Sequence, residues 1–141
     1  MLYSEKMPIF TAKYPAQTVT MDGAAYRYVR IGAGRDKTLV LLNGGMNTLE
    51  MWMDYVEPLS KKCDVLLFDY PRELRTNQAL VVGMHAFFAK LGIASPIFIG
   101  ASNGAMAAQI YTQKYPNEVG GLVLVSTGGM DAATLKTLKK K

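Results

Sequence analysis

The chain has 141 residues, half of them hydrophobic and a fifth charged, a balance that fits one globular domain with a sizeable core. Its net charge of +5 is concentrated at one end, in Lys136, Lys139, Lys140 and Lys141, and no stripe of interleaved basic and aromatic residues tracks a phosphate backbone; nucleic acid is excluded as a partner. No apolar run reaches bilayer length and residues 1–15 hold no signal-like apolar segment, so the sequence predicts a soluble, cytoplasmic protein without a membrane partner; Cys63, the single cysteine, reads as a semi-buried hydrophobe.

In chain order the first signal is a hairpin. Thr18–Met21 and Tyr26–Ile31 flank Asp22-Gly23, a pair that favours the positive φ angles of a tight turn. A turn over residues 32–36 leads to Leu39–Leu42, an apolar run without alternation, as expected of a strand covered on both faces, which ends at Asn43-Gly44-Gly45. A helix from about Leu49 to Glu57 follows. Val65–Phe68 is a second buried strand, ending at Asp69-Tyr70-Pro71.

Leu80, Met84, Phe87, Phe88 and Leu91 recur at helical spacing over residues 77–91, and Gly92 stops that helix. A strand over Pro96–Ile99 comes next, then a helix from near Asn103 to Tyr115, then the strand Leu122–Val125 and a last helix with Asp131 as its N-cap. Strands alternating with helices predict an α/β fold: a mostly parallel twisted sheet with helices on both faces and an antiparallel N-terminal hairpin, in a single domain over residues 1–141.

Between the strand and helix near residue 100 lies Gly100-Ala101-Ser102-Asn103-Gly104, a GxSxG pattern in the context of a nucleophile elbow. A sharp strand-to-helix turn strains the serine backbone, and the flanking glycines allow close approach, so Oγ is presented above the sheet. A nucleotide-binding reading fails on detail: Gly32-Ala33-Gly34 has no third glycine and follows a hairpin strand, and no Walker A sequence occurs.

Four pieces in the right order resemble the N-terminal part of an α/β-hydrolase: the strand ending in Asn43-Gly44-Gly45, the strand ending in Asp69-Tyr70-Pro71, the elbow, and Tyr115–Val119 leading into Leu122–Val125. The resemblance covers nearly the whole chain and implies a truncated hydrolase core, lacking the C-terminal strands. It implies Ser102 as nucleophile toward an acyl carbonyl, with the developing oxyanion met by the backbone N–H of Asn103 and that of Gly45. Met46 is the neighbouring donor candidate and, with Asn43, a candidate substrate contact. The implied substrate is a small acyl compound such as an ester, and the family chemistry uses no cofactor or metal.

The sequence departs from the family pattern in three places. Asn43-Gly44 stands where His-Gly is common, and the bulky Pro71–Arg75 stands where a Gly-rich turn is usual. No histidine follows Ser102, although the family's triad runs serine, acid, histidine. His85, the only histidine, falls off the apolar stripe of its helix and reads as solvent-facing. Asp131 reads as a helix cap in place of a triad acid. The lone chain is therefore expected to lack a general base and to turn over poorly.

Two further expectations concern apolar surface. Met46, Met51, Trp52 and Met53 either pack the first helix onto the sheet or line an acyl pocket. The strand over residues 121–126 has no proline, no charge and apolar residues on both faces; left at the sheet edge it is a template for a second copy or a separate C-terminal fragment. Val82 is a second apolar residue off its helix's core stripe. Two functions stay open on these residues: part of an acyl hydrolase, or a catalytically silent module used for association.

Overall fold

The computed structural model describes residues 2–45 and 47–125. Met46, Ser126 and the terminal helix expected from Asp131 lie outside the described residues. Helix α1 (Tyr3–Lys13) comes first and is followed by strands β1 (Gln17–Met21) and β2 (Ala24–Ile31), then β3 (Thr38–Leu42). A 3₁₀ turn (Leu49–Trp52) runs into α2 (Met53–Ser60), which leads to β4 (Asp64–Phe68). Helix α3 (Asn77–Lys90), β5 (Ile97–Ala101), α4 (Asn103–Lys114), a short 3₁₀ turn (Pro116–Glu118) and β6 (Gly121–Val125) complete the described chain.

The sheet runs in the order β1-β2-β4-β3-β5-β6. Its first two strands form the expected hairpin, with Asp22 at φ 51° and Gly23 at φ 78° making the two consecutive left-handed positions that a two-residue turn requires. β2 then pairs antiparallel with β4, and β4, β3, β5 and β6 are mutually parallel. β4 is buried along its whole length and β3 along all but its first residue, which explains why both read as unbroken apolar runs.

Helices cover both faces. On one, α3 and α4 bury Leu80, Met84, Phe87, Phe88 and Tyr111 against Tyr26, Phe68 and Phe98 of the sheet. Each of these side chains contributes roughly 1.5–3 kcal/mol through the area it removes from water. Tyr26 stacks on Phe87 with ring centroids 4.3 Å apart, and burial pushes its hydroxyl pKa up to about 12. On the other face, Leu49, Trp52, Met53 and Val56 pack with Phe10 of α1 against Leu39, Leu41, Val65 and Leu67. At the far end of the sheet Arg30 clamps buried Asp64 with bonds of 2.7 and 3.0 Å and also donates to the carbonyl of Leu91.

The structure corrects the sequence reading in several details. α1 was not foreseen. It buries only Phe10, carries Pro8 internally, and is held mainly by polar pairs: Lys6 with Asp54, Lys13 with Glu57, and the Tyr14 hydroxyl donating to Glu57 at 2.8 Å. The helix expected from Leu49 starts as a 3₁₀ turn and becomes α-helical only at Met53. The strand expected over Pro96–Ile99 lies further on and runs to Ala101, directly into the turn at Ser102. Among the described residues no helix is long and apolar enough to cross a membrane.

Candidate functional site

Ser102 sits between the last residue of β5 and the first of α4, at φ 53° and ψ −115°. A non-glycine residue at this positive φ and ψ is held there by its surroundings, at a cost of about 1–3 kcal/mol. Three bonds hold it. Its N–H donates to the carbonyl of Val125 at 3.0 Å, and its carbonyl accepts from Ala105 at 3.1 Å and Met106 at 3.2 Å, opening the helix. Its side chain takes no part in capping, and the residue is exposed, so Oγ is free on the open side of the sheet.

The glycines of the pattern have distinct mechanical reasons. A Cβ on Gly100 would lie 2.8 Å from backbone atoms of Gly104 and Ala105, and one on Gly104 would overlap the carbonyl of Leu42. α4 therefore rises steeply from β5 and presses its first turn against the end of β3. That contact sets the distance between the elbow and the loop after β3.

The loop over residues 43–45 stands across from the elbow. A Cβ on Gly44 would be 3.9 Å from Cβ of Ser102, and one on Gly45 would be 3.7 Å from Cβ of Asn103. Gly44 is buried and Gly45 exposed. A turn bond from the N–H of Asn47 to the carbonyl of Gly44, 3.1 Å, closes the loop. The structure thus brings Ser102, Asn103 and Gly45 together. Met46 lies outside the described residues.

Asn43 has a different place from the one expected. It is fully buried, its amide donates to the carbonyl of Phe68 at 2.9 Å, and its side-chain oxygen accepts from the indole N–H of Trp52 at 2.9 Å. Its backbone carbonyl accepts from the Tyr70 hydroxyl at 2.7 Å. With both ends of the amide engaged inside the protein, Asn43 fixes the loop and does not reach a ligand.

A charged network does similar work one turn further on, with no signal in the sequence. Asp69 accepts from the N–H of Leu49 at 2.7 Å through one oxygen and from Arg27 at 2.7 Å through the other. Arg27 also pairs with Glu50, which is buried. Burial alone would raise the Glu50 carboxyl; the bonds from Arg27, Thr48 and the backbone outweigh it and hold the carboxyl below its ordinary value. On the other side of the elbow Asn77 and Asn103 exchange amide bonds of 3.3 and 3.4 Å, tying the start of α3 to the start of α4.

His85 is half-exposed but not free. Its ring stacks on Tyr115 at 3.9 Å and 10°, and Nε2 lies 2.9 Å from Glu118. The expected solvent-facing histidine is instead part of a surface cluster joining α3 to the segment after α4.

Met51, Trp52 and Met53 divide between the two readings given to them. Trp52 and Met53 are buried and pack on the sheet. Met51 and Trp52 also wall a groove of about 580 Å³ with Tyr55, Ile99, Ala101 and Val125, on the α2 side of the sheet. Cys63 is semi-buried, as expected.

No family model matches the sequence. Two curated relatives are similar: monoacylglycerol lipase abhd6-A of Xenopus laevis, 26% identical over 121 residues, and monoacylglycerol lipase ABHD6 of Homo sapiens, 28% identical over 112 residues. Those alignments cover 75% and 72% of this chain, and the chain spans 36% and 33% of the relatives' length. Among solved structures, MGS-M2, an α/β-hydrolase enzyme from a Medee basin deep-sea metagenome library, matches with a TM-score of 0.71 and 26% identity, covering 77% of this chain and 43% of its own.

The chain belongs to the α/β-hydrolase superfamily.

Among the described residues the sheet has six strands, with the antiparallel hairpin at one edge and β6 at the other. The function class that the relatives carry is hydrolytic.

Proposed function

We propose that this chain contributes the nucleophile and the oxyanion-binding half of a serine hydrolase acting on carboxylic esters. The observation that carries the reading is the exposed Ser102, held at positive φ with Gly45 and the start of α4 beside it. The lipase names of the two curated relatives support an acyl ester as substrate class.

In the chemistry so assigned, Oγ of Ser102 attacks the ester carbonyl carbon while its proton passes to a base. The carbonyl π electrons move to oxygen, where the N–H groups of Asn103 and Gly45 receive the charge. First-turn N–H groups of a helix have no partner within it, so that of Asn103 is available. Collapse of the intermediate restores the carbonyl and breaks the bond to the ester oxygen, which takes the proton back from the base and leaves as the alcohol, so that an acyl group remains on Ser102 for water to remove. Each oxyanion donor of this kind is worth about 3 kcal/mol of barrier. His85 bonds Glu118 and stacks on Tyr115, and no hydrogen bond joins it to Ser102 among the described residues; in this proposal the base and its acid come from outside residues 2–125.

A fluorophosphonate probe read by intact mass tests the proposal. Ser102 is expected to be labelled slowly, faster when imidazole is added as an external base, and not at all in Ser102→Ala. Labelling of the folded chain no faster than that of the urea-unfolded chain refutes an activated elbow. Brisk hydrolysis of p-nitrophenyl acetate without imidazole, abolished by Ser102→Ala, overturns the claim that the base lies elsewhere.

A further inference from the structure

The oxyanion donor assigned to Gly45 hangs on two consecutive glycines. Glycine crosses φ/ψ space with little resistance, so the Gly44–Gly45 peptide does not hold its N–H in one direction by itself. Its carbonyl, that of Gly44, accepts from the N–H of Asn47 on the exposed side of the loop, where water competes for the bond. The peptide before it, between Asn43 and Gly44, therefore decides whether the donor keeps its place.

That earlier peptide is held from two sides. Its carbonyl, on Asn43, lies just past Leu42, the last β3 residue paired with a neighbouring strand. A Cβ on Gly104 would stand 2.7 Å from this oxygen, so the first turn of α4 backs it directly. From another side the Tyr70 hydroxyl donates to it at 2.7 Å, while the Tyr70 ring meets Phe68 edge-on with centroids 5.6 Å apart. Burial keeps that hydroxyl above the ordinary tyrosine value, so it stays protonated and able to donate. Asn43 is fully buried, and without the hydroxyl its carbonyl is left unpaired away from water. The peptides are trans, so each N–H points opposite its carbonyl. Rotation of the Asn43 carbonyl toward another partner would swing the Gly44 N–H and carry Gly45 with it.

We propose that Tyr70 is a positioning residue for the oxyanion site: its hydroxyl fixes the Asn43–Gly44 peptide against α4 and so keeps the Gly45 N–H in place beside the elbow. The inference rests on the reading of Ser102 as nucleophile and Gly45 as donor. A hydroxyl that only adds stability leaves the reactivity of the folded protein unchanged, whereas a positioning hydroxyl governs it.

Saturation kinetics of fluorophosphonate labelling, read by intact mass with imidazole present, test this on the full chain. Trimethylamine N-oxide keeps each variant folded, as checked by circular dichroism. Tyr70→Phe retains the ring and removes the hydroxyl; its maximal labelling rate is expected to fall about ten-fold or more, with the half-saturating probe concentration unchanged. Thr38→Val removes a hydroxyl bond of 3.0 Å to Asp64 at the opposite end of β3 and is expected to label at the parent rate. In NMR relaxation dispersion the amides of Gly44 and Gly45 should show exchange in Tyr70→Phe and none in the parent. A maximal rate in Tyr70→Phe near the parent's, or an equal fall in Thr38→Val, refutes the positioning role. Quiet Gly44 and Gly45 amides in Tyr70→Phe also refute it. A parent that labels no faster folded than unfolded refutes instead the reading of the elbow, and the two amides then still decide whether Tyr70 holds the loop.

Discussion

Replacing Ser102 by glycine is expected to stabilise the protein while destroying the nucleophile. The backbone at φ 53°, ψ −115° is open to glycine without penalty, whereas for serine it costs about 1–3 kcal/mol. Against that gain stands the larger freedom of glycine in the unfolded chain, about 0.4–1 kcal/mol. The hydroxyl makes no capping bond and is exposed, so its loss removes little. The net expectation is a gain of about 1 kcal/mol, or a rise in Tm of roughly 3–5 °C for a domain of this size. Ser102→Ala retains the strained backbone and is expected to fall within about 0.5 kcal/mol of the parent. Urea denaturation followed by circular dichroism measures both variants. A glycine variant no more stable than the alanine variant would refute the view that the elbow stores strain, and with it the mechanical basis for an exposed nucleophile.

Gly104→Ala is expected to lose about 3 kcal/mol or more in the same assay, because its Cβ overlaps the Leu42 carbonyl and neither backbone segment can yield. Asn43→Ala leaves the Trp52 indole N–H and the Phe68 carbonyl without their partner inside the protein, and should lower stability by about 2–4 kcal/mol while slowing phosphonate labelling of Ser102 beyond what stability explains. Glu50 has its carboxyl held below the ordinary value in the folded state, so its contribution is present above that value and is lost as pH falls through the lowered one; Glu50→Gln should give a shallower loss of stability on the acid side of about pH 4.5, by urea midpoints across pH.

The strands and the elbow were legible because their signals are local. Buried parallel strands leave unbroken apolar runs, Asp22-Gly23 announces its turn, and GxSxG is spaced by the contacts that Gly100 and Gly104 make with neighbouring backbone. α1 was not legible, since its single buried residue leaves no stripe and its anchors, Asp54 and Glu57, lie far away in sequence. The same distance hid the supports of the site. Nothing in Asn43 announces that its amide bridges Trp52 and Phe68, and nothing in Arg27 points to Glu50 and Asp69. His85 was misread because helical position shows which way a side chain points, not that Tyr115 and Glu118 await it there.

One hydrogen bond puts the nucleophile and the sheet edge mechanically in series. Among the described residues the amide of Ser102 is the last rung joining β5 to β6, and the carbonyl it meets belongs to Val125. Order imposed on β6 at Val125 therefore arrives at Ser102 through a single peptide. The rigidity of this serine is a property of the neighbouring strand as much as of the turn.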